Sequence, residues 1–300
     1  MPQTACGIFA CFTKGIETIM EKKLLVLDID GTLVNNEKEI TPRTKEALFQ
    51  AMEAGHSIMI ASGRPTPGVQ KYVEELKLKE YGGYTLTYNG ARVEDCRTGR
   101  VLYEKRLSND ILRQAYAFAC EKDLGIITYE NDMEKMPQVL SGRRLDDWIL
   151  WEAKINRLTV GERTDFLDYV NYDPYKVLLT ADPEKSEGYM KELQELVGER
   201  ANVMRSESFF IEVTARRIDK ARTLERVIGP IGISQANTIC CGDAFNDITM
   251  VKFAGVGVAM GNAKLEVREI ADYITLSNEE DGIARVVERL VLAPEDDQRD

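Results

Sequence analysis

Short apolar runs that are followed at once by polar residues constrain the fold of this chain most. Three of them are residues 23–27, followed by Asp28, residues 57–61, followed by Ser62, and residues 238–241, followed by Gly242 and Asp243. Segments of helical periodicity separate the runs, and this alternation predicts an α/β protein with a parallel sheet. Because the carboxyl ends of parallel strands share one edge of a sheet, the polar residues are expected to meet there.

The middle of the chain has a different pattern and divides the α/β pattern in two. Residues 89–205 mix a hairpin, strands and helices, including a helix over 145–155 with two tryptophans that we expect to be buried. We therefore predict one domain formed by 22–88 and 206–300, and an inserted α+β domain formed by 89–205. Residues 1–21 form an N-terminal extension with no strand that the sheet needs, and we expect it to be weakly packed.

Charge and composition exclude several classes of function. Acidic residues outnumber basic ones by 50 to 39, and the formal net charge is -11. Such a field repels nucleic acid and anionic membranes, but a small anionic ligand is still possible at a few local cations. No apolar run reaches the roughly 18 residues of a membrane span. The six cysteines show no zinc-binding spacing and suit a reducing compartment, so we expect a cytoplasmic protein.

The only histidine narrows the chemistry further. His56 lies at an apparent helix-to-strand turn, which does not suit a catalytic base. Acid–base chemistry must then come from carboxylates, lysine or a metal.

Two aspartates follow the first apolar run. Asp28 and Asp30 are two residues apart and precede Gly31, which allows a sharp turn. One carboxylate in such a place can attack phosphorus, and the other can protonate the leaving oxygen and later activate water. A solvated Asp-Gly turn is the simpler alternative for the pair taken alone.

A second acidic group follows the run at 238–241. Asp243, Asn246 and Asp247 offer closely spaced oxygen ligands, which is how proteins usually hold Mg²⁺. Two further elements offer hydrogen-bond donors that could bind a phosphate group. They are the turn at Ser62 and Gly63, and Lys220 at the start of a helix capped by Asp219.

These four elements, in this order, resemble the motifs of the haloacid dehalogenase (HAD) superfamily of phosphotransferases. Within it, the insert between the second and third motifs resembles the Cof-type subfamily of cap class IIB, as do three short segments: 88–91, 258–263 and 277–282. The resemblance runs from about residue 23 to 292. It implies a Rossmann-like parallel-sheet core with an inserted, mobile α+β cap domain.

The resemblance also implies roles for individual residues. Asp28 would be the nucleophile and Asp30 the acid–base, and Mg²⁺ would be bound by Asp28, the Asp30 carbonyl and Asp243, with Asp247 supporting it. The phosphoryl group would be bound by Ile29 (through its N–H), Ser62, Gly63, Lys220 and Asn246. Arg64 and Asn89 are further candidates for contacts with the substrate.

The implied function is an Mg²⁺-dependent phosphatase of small phosphorylated metabolites that works through an aspartyl-phosphate. The alternatives are a phosphomutase of the phosphomannomutase type and a non-catalytic phosphate-binding protein. Sugar phosphates, nucleotides and flavin mononucleotide are all possible substrates, and the protein is expected to be a monomer or homodimer. Arg216 and Arg217 depart from the family pattern, and either contact the substrate or face solvent, which we favour.

Overall fold

The computed structural model of the protein describes residues 21–130 and 135–292, so the expectation for the N-terminal extension lies outside it except at Glu21. The strands are β1 (Leu24–Leu27), β2 (Ser57–Ala61), β3 (Tyr84–Thr87), β4 (Arg92–Asp95), β5 (Val101–Glu104), β6 (Gly125–Tyr129), β7 (Gln138–Ser141), β8 (Thr159–Glu162), β9 (Lys176–Thr180), β10 (Ala201–Glu207), β11 (Phe210–Ala215), β12 (Thr238–Gly242), β13 (Val256–Ala259) and β14 (Tyr273–Ile274). The helices are α1 (Pro42–Glu53), α2 (Thr66–Glu75), α3 (Leu78–Tyr81), α4 (Asn109–Lys122), α5 (Asp147–Ile155), α6 (Phe166–Tyr169), α7 (Pro183–Val197), α8 (Lys220–Val227), α9 (Ile248–Phe253), α10 (Leu265–Arg268) and α11 (Gly282–Val286).

The first sheet has eight strands in the order β14-β13-β12-β1-β2-β3-β4-β5. From β14 to β3 all neighbours are parallel, whereas β4 and β5 add an antiparallel hairpin at one edge. Because β12 and β2 flank β1, the residues that follow these three strands lie side by side. The predicted α/β class with a parallel-sheet core is confirmed.

Local sequence signals explain the elements around β1. All four residues of β1 are fully buried, as expected of a central parallel strand. Helix α1 begins with Thr41 accepting a hydrogen bond from the backbone N–H of Thr44 and with Pro42 at the first helical position. Cys240 and Cys241 are packing residues, since both are fully buried in β12.

The second sheet has six strands in the order β10-β11-β9-β6-β7-β8. Its strands are antiparallel except for the parallel pair β7 and β8. A separate apolar cluster forms between this sheet and helices α4 and α7. The middle of the chain is therefore an α+β unit with its own core.

Sheet membership differs from the predicted division at both ends of the insert. Strands β4 and β5 extend the first sheet through pairing with β3, although we assigned their residues to the insert. Strand β11 belongs to the second sheet, although we assigned it to the first domain. An alternating strand pattern does not specify which edge the strand joins. We therefore propose that the inserted domain begins after β5 and ends after β11.

The tryptophans of α5 correct another expectation. The side chains of Trp148 and Trp151 are 37% and 38% exposed, so the prediction that they are buried was wrong. The helical pattern is satisfied instead by Ile149 and Ala153, which are buried on the opposite face.

Within residues 21–130 and 135–292, no helix has both the length and the apolar character needed to cross a membrane.

Candidate active site

The site forms where β1, β2 and β12 end. Asp28, Ser62 and Asp243 directly follow these neighbouring strands, as the parallel topology requires. Helix α8 begins at Lys220 against the same edge, with the Asp219 carboxylate accepting from the backbone N–H of Arg222 as its N-cap. The structure thus brings together residues separated by almost 220 positions in the sequence.

Lys220 is the centre of the site and is completely buried. Its Nζ donates to Asp28 Oδ1 at 2.6 Å, to Asp247 Oδ1 at 2.6 Å and to the carbonyl oxygen of Ala61 at 2.8 Å. Burial alone would lower the pKa of Lys220, but the charges of Asp247 and Asp28 outweigh it and raise the pKa. The residue is therefore a fixed cation beneath Asp28.

Three carboxylates lie around this cation. One oxygen from each of Asp28, Asp243 and Asp247 lies within 4.8 Å of the others, and such a donor set suits a hard divalent cation. Asp247 is the most engaged, because its Oδ2 also accepts from the backbone N–H groups of Asp243 and Ala244 at 3.1 and 3.0 Å. Among the described residues, the side-chain donor to Asp243 Oδ1 is Thr32 Oγ1, at 3.3 Å.

Burial and mutual repulsion raise the pKa values of two of these carboxylates, Asp28 and Asp243. Burial, and next the negative charge of Asp247, raise the pKa of Asp28 well above its usual value. The same two causes raise the pKa of Asp243 to about 6. A cation bound between them would relieve this repulsion, because it would favour the ionised forms.

Asp30 lies in a different electrostatic environment from Asp28. The Arg64 guanidinium donates to both of its oxygens, from Nε to Oδ2 and from Nη2 to Oδ1, each at 2.8 Å. Lys38 Nζ lies 2.8 Å from Oδ1. Burial would raise the pKa of Asp30, but Arg64 and Lys38 together lower it. The pKa values of Asp28 and Asp30 are therefore shifted in opposite directions.

Arg64 also joins the two sheets. Its Nη1 donates to the carbonyl oxygen of Ile155 at the end of α5, at 2.8 Å. The side chain is buried and its guanidinium is held by Asp30 and Ile155. Arg64 was a candidate for substrate contact, and the structure places it both against Asp30 and in the lining of the cavity described below.

A second polar network runs from the loops of the first sheet into the second. Asn246 Nδ2 donates to Asn89 Oδ1 at 3.2 Å, and Asn89 Nδ2 donates to Glu212 Oε1 at 3.1 Å. Lys176 Nζ lies 3.1 Å from both Glu212 Oε2 and the carbonyl oxygen of Gly63. Asn89 and Asn246 are thus in contact with each other at the rim of the site.

A cavity of about 630 Å³ connects these groups. Eight of the predicted residues line it on the side of the first sheet: Asp28, Asp30, Ser62, Gly63, Arg64, Asn89, Lys220 and Asn246. Asp243 and Asp247 lie behind this lining. Ile29 has a fully buried side chain, and its carbonyl oxygen accepts from the N–H groups of Leu33 and Val34, which fixes the turn after β1.

Sequence reasoning missed the second sheet's contribution to the cavity. Lys176 and Glu212 are almost completely buried there, in β9 and β11. A charged residue within an otherwise apolar strand was the available signal in both cases. Arg216 and Arg217 do not line the cavity, and Arg216 pairs with Glu199 at 2.9 Å near the surface, which agrees with the solvent-facing interpretation.

Comparisons with known proteins agree with this geometry. The model of the haloacid dehalogenase-like hydrolase family matches residues 25–287. The protein YxeH of Bacillus subtilis is 34% identical over 273 residues, which cover 90% of this chain and 99% of YxeH. The 5-amino-6-(5-phospho-D-ribitylamino)uracil phosphatase YcsE of the same organism is 30% identical over 270 residues, covering 90% and 96%.

Solved structures share the whole fold. A haloacid dehalogenase-like hydrolase from Bacteroides thetaiotaomicron superposes with a TM-score of 0.85 at 38% identity, covering 90% of this chain and 100% of that one. The HAD subclass IIB sugar phosphatase BT4131 superposes with a TM-score of 0.74 at 28% identity, covering 89% and 98%. With its site at the shared sheet edge, this chain belongs to the haloacid dehalogenase-like hydrolases and is a phosphatase of that family.

Proposed function

We propose that the protein is an Mg²⁺-dependent phosphatase of small phosphorylated metabolites, with Asp28 as nucleophile and Asp30 as acid–base. The observation that carries this proposal is the opposed environment of the two carboxylates at the cavity. Asp28 contacts Lys220 and two acidic neighbours, whereas Asp30 is held by two cations and faces the inserted domain. Two carboxylates held so differently at one cavity suit two different roles.

The donor set favours a magnesium site. Asp28 and Asp243 would hold the ion together with the Asp30 carbonyl, and Asp247, whose oxygens are already engaged, would fix Lys220 and the Asp243 loop. Oxygen ligands of this number suit Mg²⁺, which keeps several waters and a substrate oxygen in its octahedron. When bound, the ion would neutralise charge on the transferring phosphoryl group.

The chain's own residues account for the two chemical steps. Asp28 attacks phosphorus in line through its second oxygen, since Oδ1 is bonded to Lys220, and the bond from phosphorus to the leaving oxygen breaks. Asp30 gives a proton to that oxygen from its protonated form, which is a strong acid but a minor species because Arg64 and Lys38 lower its pKa. In the second step Asp30 takes a proton from water, the hydroxide attacks the aspartyl-phosphate, and Asp28 and inorganic phosphate are released.

Lys220 and the Ser62 turn act on the phosphoryl oxygens in this scheme. The Lys220 ammonium donates its three N–H groups to Asp28, Asp247 and Ala61, so it acts on the phosphoryl oxygens through its fixed charge, with little reorganisation as charge develops. The Ser62 hydroxyl and the backbone N–H groups of Ile29 and Gly63 supply neutral donors, and Asn246 closes the rim. A small phosphate ester fits the remaining space in the cavity.

The names of the relatives support a small metabolite as substrate. One of them is a sugar phosphatase, and another acts on a phosphorylated ribitylaminouracil. Four cysteines of the described chain are free thiols, which supports a cytoplasmic location. We propose a monomer or homodimer, with no nucleic acid or membrane partner.

The test is phosphate release from p-nitrophenyl phosphate, acetyl phosphate and a panel of metabolite phosphates, with and without Mg²⁺. We expect turnover that needs Mg²⁺ and disappears in Asp28→Asn. Phosphoryl transfer to a second sugar hydroxyl without phosphate release would identify a mutase instead. Absence of both reactions with every substrate would contradict the proposal and favour a phosphate-binding protein.

A further inference from the structure

The second sheet and α5 line one part of the cavity. Trp151 and Phe210 form an apolar wall there, with ring centroids 6.1 Å apart and the rings tilted by 45° to each other. Phe209 packs against both, at 5.5 Å from Trp151 and 4.8 Å from Phe210. Trp151 is partly exposed and Phe210 is buried, so the wall offers an apolar surface to the leaving group of a phosphate ester.

The hydrogen-bond donors of the same region are committed to the protein itself. Lys176 donates to Gly63 and Glu212, and Arg64 donates to Asp30 and Ile155. Asn156 directs its Nδ2 to Glu152, at 2.9 Å from the carbonyl oxygen and 2.8 Å from Oε1.

Arg205 also lines the cavity, but it is surface-exposed, and its guanidinium lies 3.9 Å from Glu187 of helix α7, outside the lining. A second anionic group on a substrate would therefore find few available partners.

Acceptors, by contrast, are plentiful. The carboxylates of Glu152, Glu207 and Glu212 line the cavity, and each can accept more hydrogen bonds than it receives. Asn156 Oδ1, which has no hydrogen-bond partner among the described residues, does not add to them, because it is buried against Gly68 of α2. The cavity is therefore rich in acceptors and negative charge beyond the phosphate site.

Glu207 stands out among these carboxylates. It lies at the end of β10, where the pairing with β11 shifts register, and it forms no ion pair within the described part of the chain. Its side chain is exposed at the cavity, and desolvation, followed by the negative charges of Glu152 and Asp30, raises its pKa, while Lys38 lowers it by a smaller amount. A substrate entering toward Asp30 would pass this side chain.

We propose that Glu207 is a specificity-determining residue that, with Glu152 and Glu212, favours leaving groups bearing hydroxyl or amine donors and rejects those bearing a second anionic group. This inference rests on the proposed phosphatase function. Neutral hydrogen-bond donors of the leaving group satisfy the spare acceptors. A second anionic group is repelled by the three carboxylates, and the protein's cations at the cavity are already paired.

Matched pairs of esters test the inference. Glycerol 3-phosphate and 3-phosphoglycerate differ by a hydroxymethyl against a carboxylate, as do glucitol 6-phosphate and 6-phosphogluconate. In the native protein we expect kcat/KM to favour the neutral member of each pair by about tenfold or more, since one like-charge contact of modest energy gives that ratio. In Glu207→Gln, which removes the charge and keeps the shape, the ratio should fall by about threefold or more.

Glu195→Gln is the matched control, because Glu195 is exposed on α7 and does not line the cavity. It should leave both ratios unchanged. A native ratio near one, or a ratio that Glu207→Gln leaves unaltered, overturns the inference. Turnover of acetyl phosphate with Mg²⁺ distinguishes this failure from failure of the phosphatase function, since that small ester does not reach the wall of Trp151.

Discussion

Arg64 holds the carboxylate of Asp30 in a two-bond fork, with both N–O distances at 2.8 Å. The same guanidinium reaches across to the end of α5 through the carbonyl oxygen of Ile155. The orientation of the acid–base candidate is thus set jointly by a residue of the first sheet and a helix of the inserted domain.

Replacing Arg64 should therefore impair the chemical step. In Arg64→Met, the two hydrogen bonds to Asp30 and the one to Ile155 are lost. We expect kcat to fall by roughly 10- to 100-fold, because small misplacements of reacting groups have effects of this size. Arg64→Lys keeps the charge without the fork, so its kcat should lie between the two. Single-turnover kinetics with p-nitrophenyl phosphate measure this. Native kcat in Arg64→Met would contradict the positioning role.

Asp28→Asn should separate activity from stability. The amide cannot attack phosphorus, so turnover should be lost. The substitution also removes one of three crowded carboxylates, while Lys220 keeps Asp247 and Ala61 as acceptors. In EDTA at pH 7.5 we expect a melting temperature at least equal to that of the native protein. Residual phosphate release above the Asp30→Asn level, or a strongly lowered melting temperature, would argue against this account.

The response to metal should depend on pH through Asp243. Its pKa of about 6 lies above the usual value of a free aspartate, so the folded state binds this proton more tightly than the unfolded state. In EDTA, the stability due to this group is fully present below about pH 4 and is lost as the pH rises through about 6. Mg²⁺ should restore stability above pH 6, and less so at pH 5, where the proton competes with the ion.

Thermal unfolding followed by circular dichroism checks this prediction, with Asp243→Asn as the control. The variant should show a flatter pH profile in EDTA and a reduced gain from Mg²⁺. Ca²⁺ should support little activity, because it favours more ligands and looser geometry. Equal stabilisation by Mg²⁺ at pH 5 and pH 8 would contradict the role given to Asp243.

Gly31→Ala should damage the carboxylate cluster. Gly31 has a φ of +79°, and a Cβ there would lie 2.4 Å from Asp243 Oδ2. The substitution therefore adds a displacement of Asp243 to the backbone strain. Gly99→Ala carries similar strain, with a φ of +68°, but its Cβ would meet no atom within 4 Å. We expect both variants to lose about 1 kcal/mol to strain, and only Gly31→Ala to lose its Mg²⁺ response. Equal Mg²⁺-dependent rates in the two would exclude the contact.

The sequence predicted the first sheet's share of the site well. The positions of Asp28, Ser62 and Asp243 depend on strand order alone, and apolar runs followed by polar residues indicate it directly. The N-cap at Asp219 located Lys220 in the same way. These signals are local, so each was visible within a few residues.

The contribution of the inserted domain was not predictable in this way. Lys176 contacts Gly63, which is 113 positions away in the sequence. From the sequence alone, the strand of Lys176 is interpreted as a core strand whose first residue is solvated. Similarly, the fork from Arg64 to Asp30 depends on where α5 docks, and no local pattern specifies docking. The exposure of Trp148 and Trp151 was not predicted for the same reason, since a large apolar side chain is usually buried, whereas Trp151 lines the cavity and Trp148 stacks on Phe209.

The bond from Lys176 Nζ to the Gly63 carbonyl joins the second sheet to the loop that follows β2. If the second sheet moves away to admit or release a ligand, this bond must break, together with the one from Arg64 to Ile155. Departure of the product would then require these two hydrogen bonds to break as the inserted domain moves through the solvent. The turnover rate would then depend on the viscosity of the medium, and it would fall in glycerol or sucrose solutions even where the chemistry is unchanged.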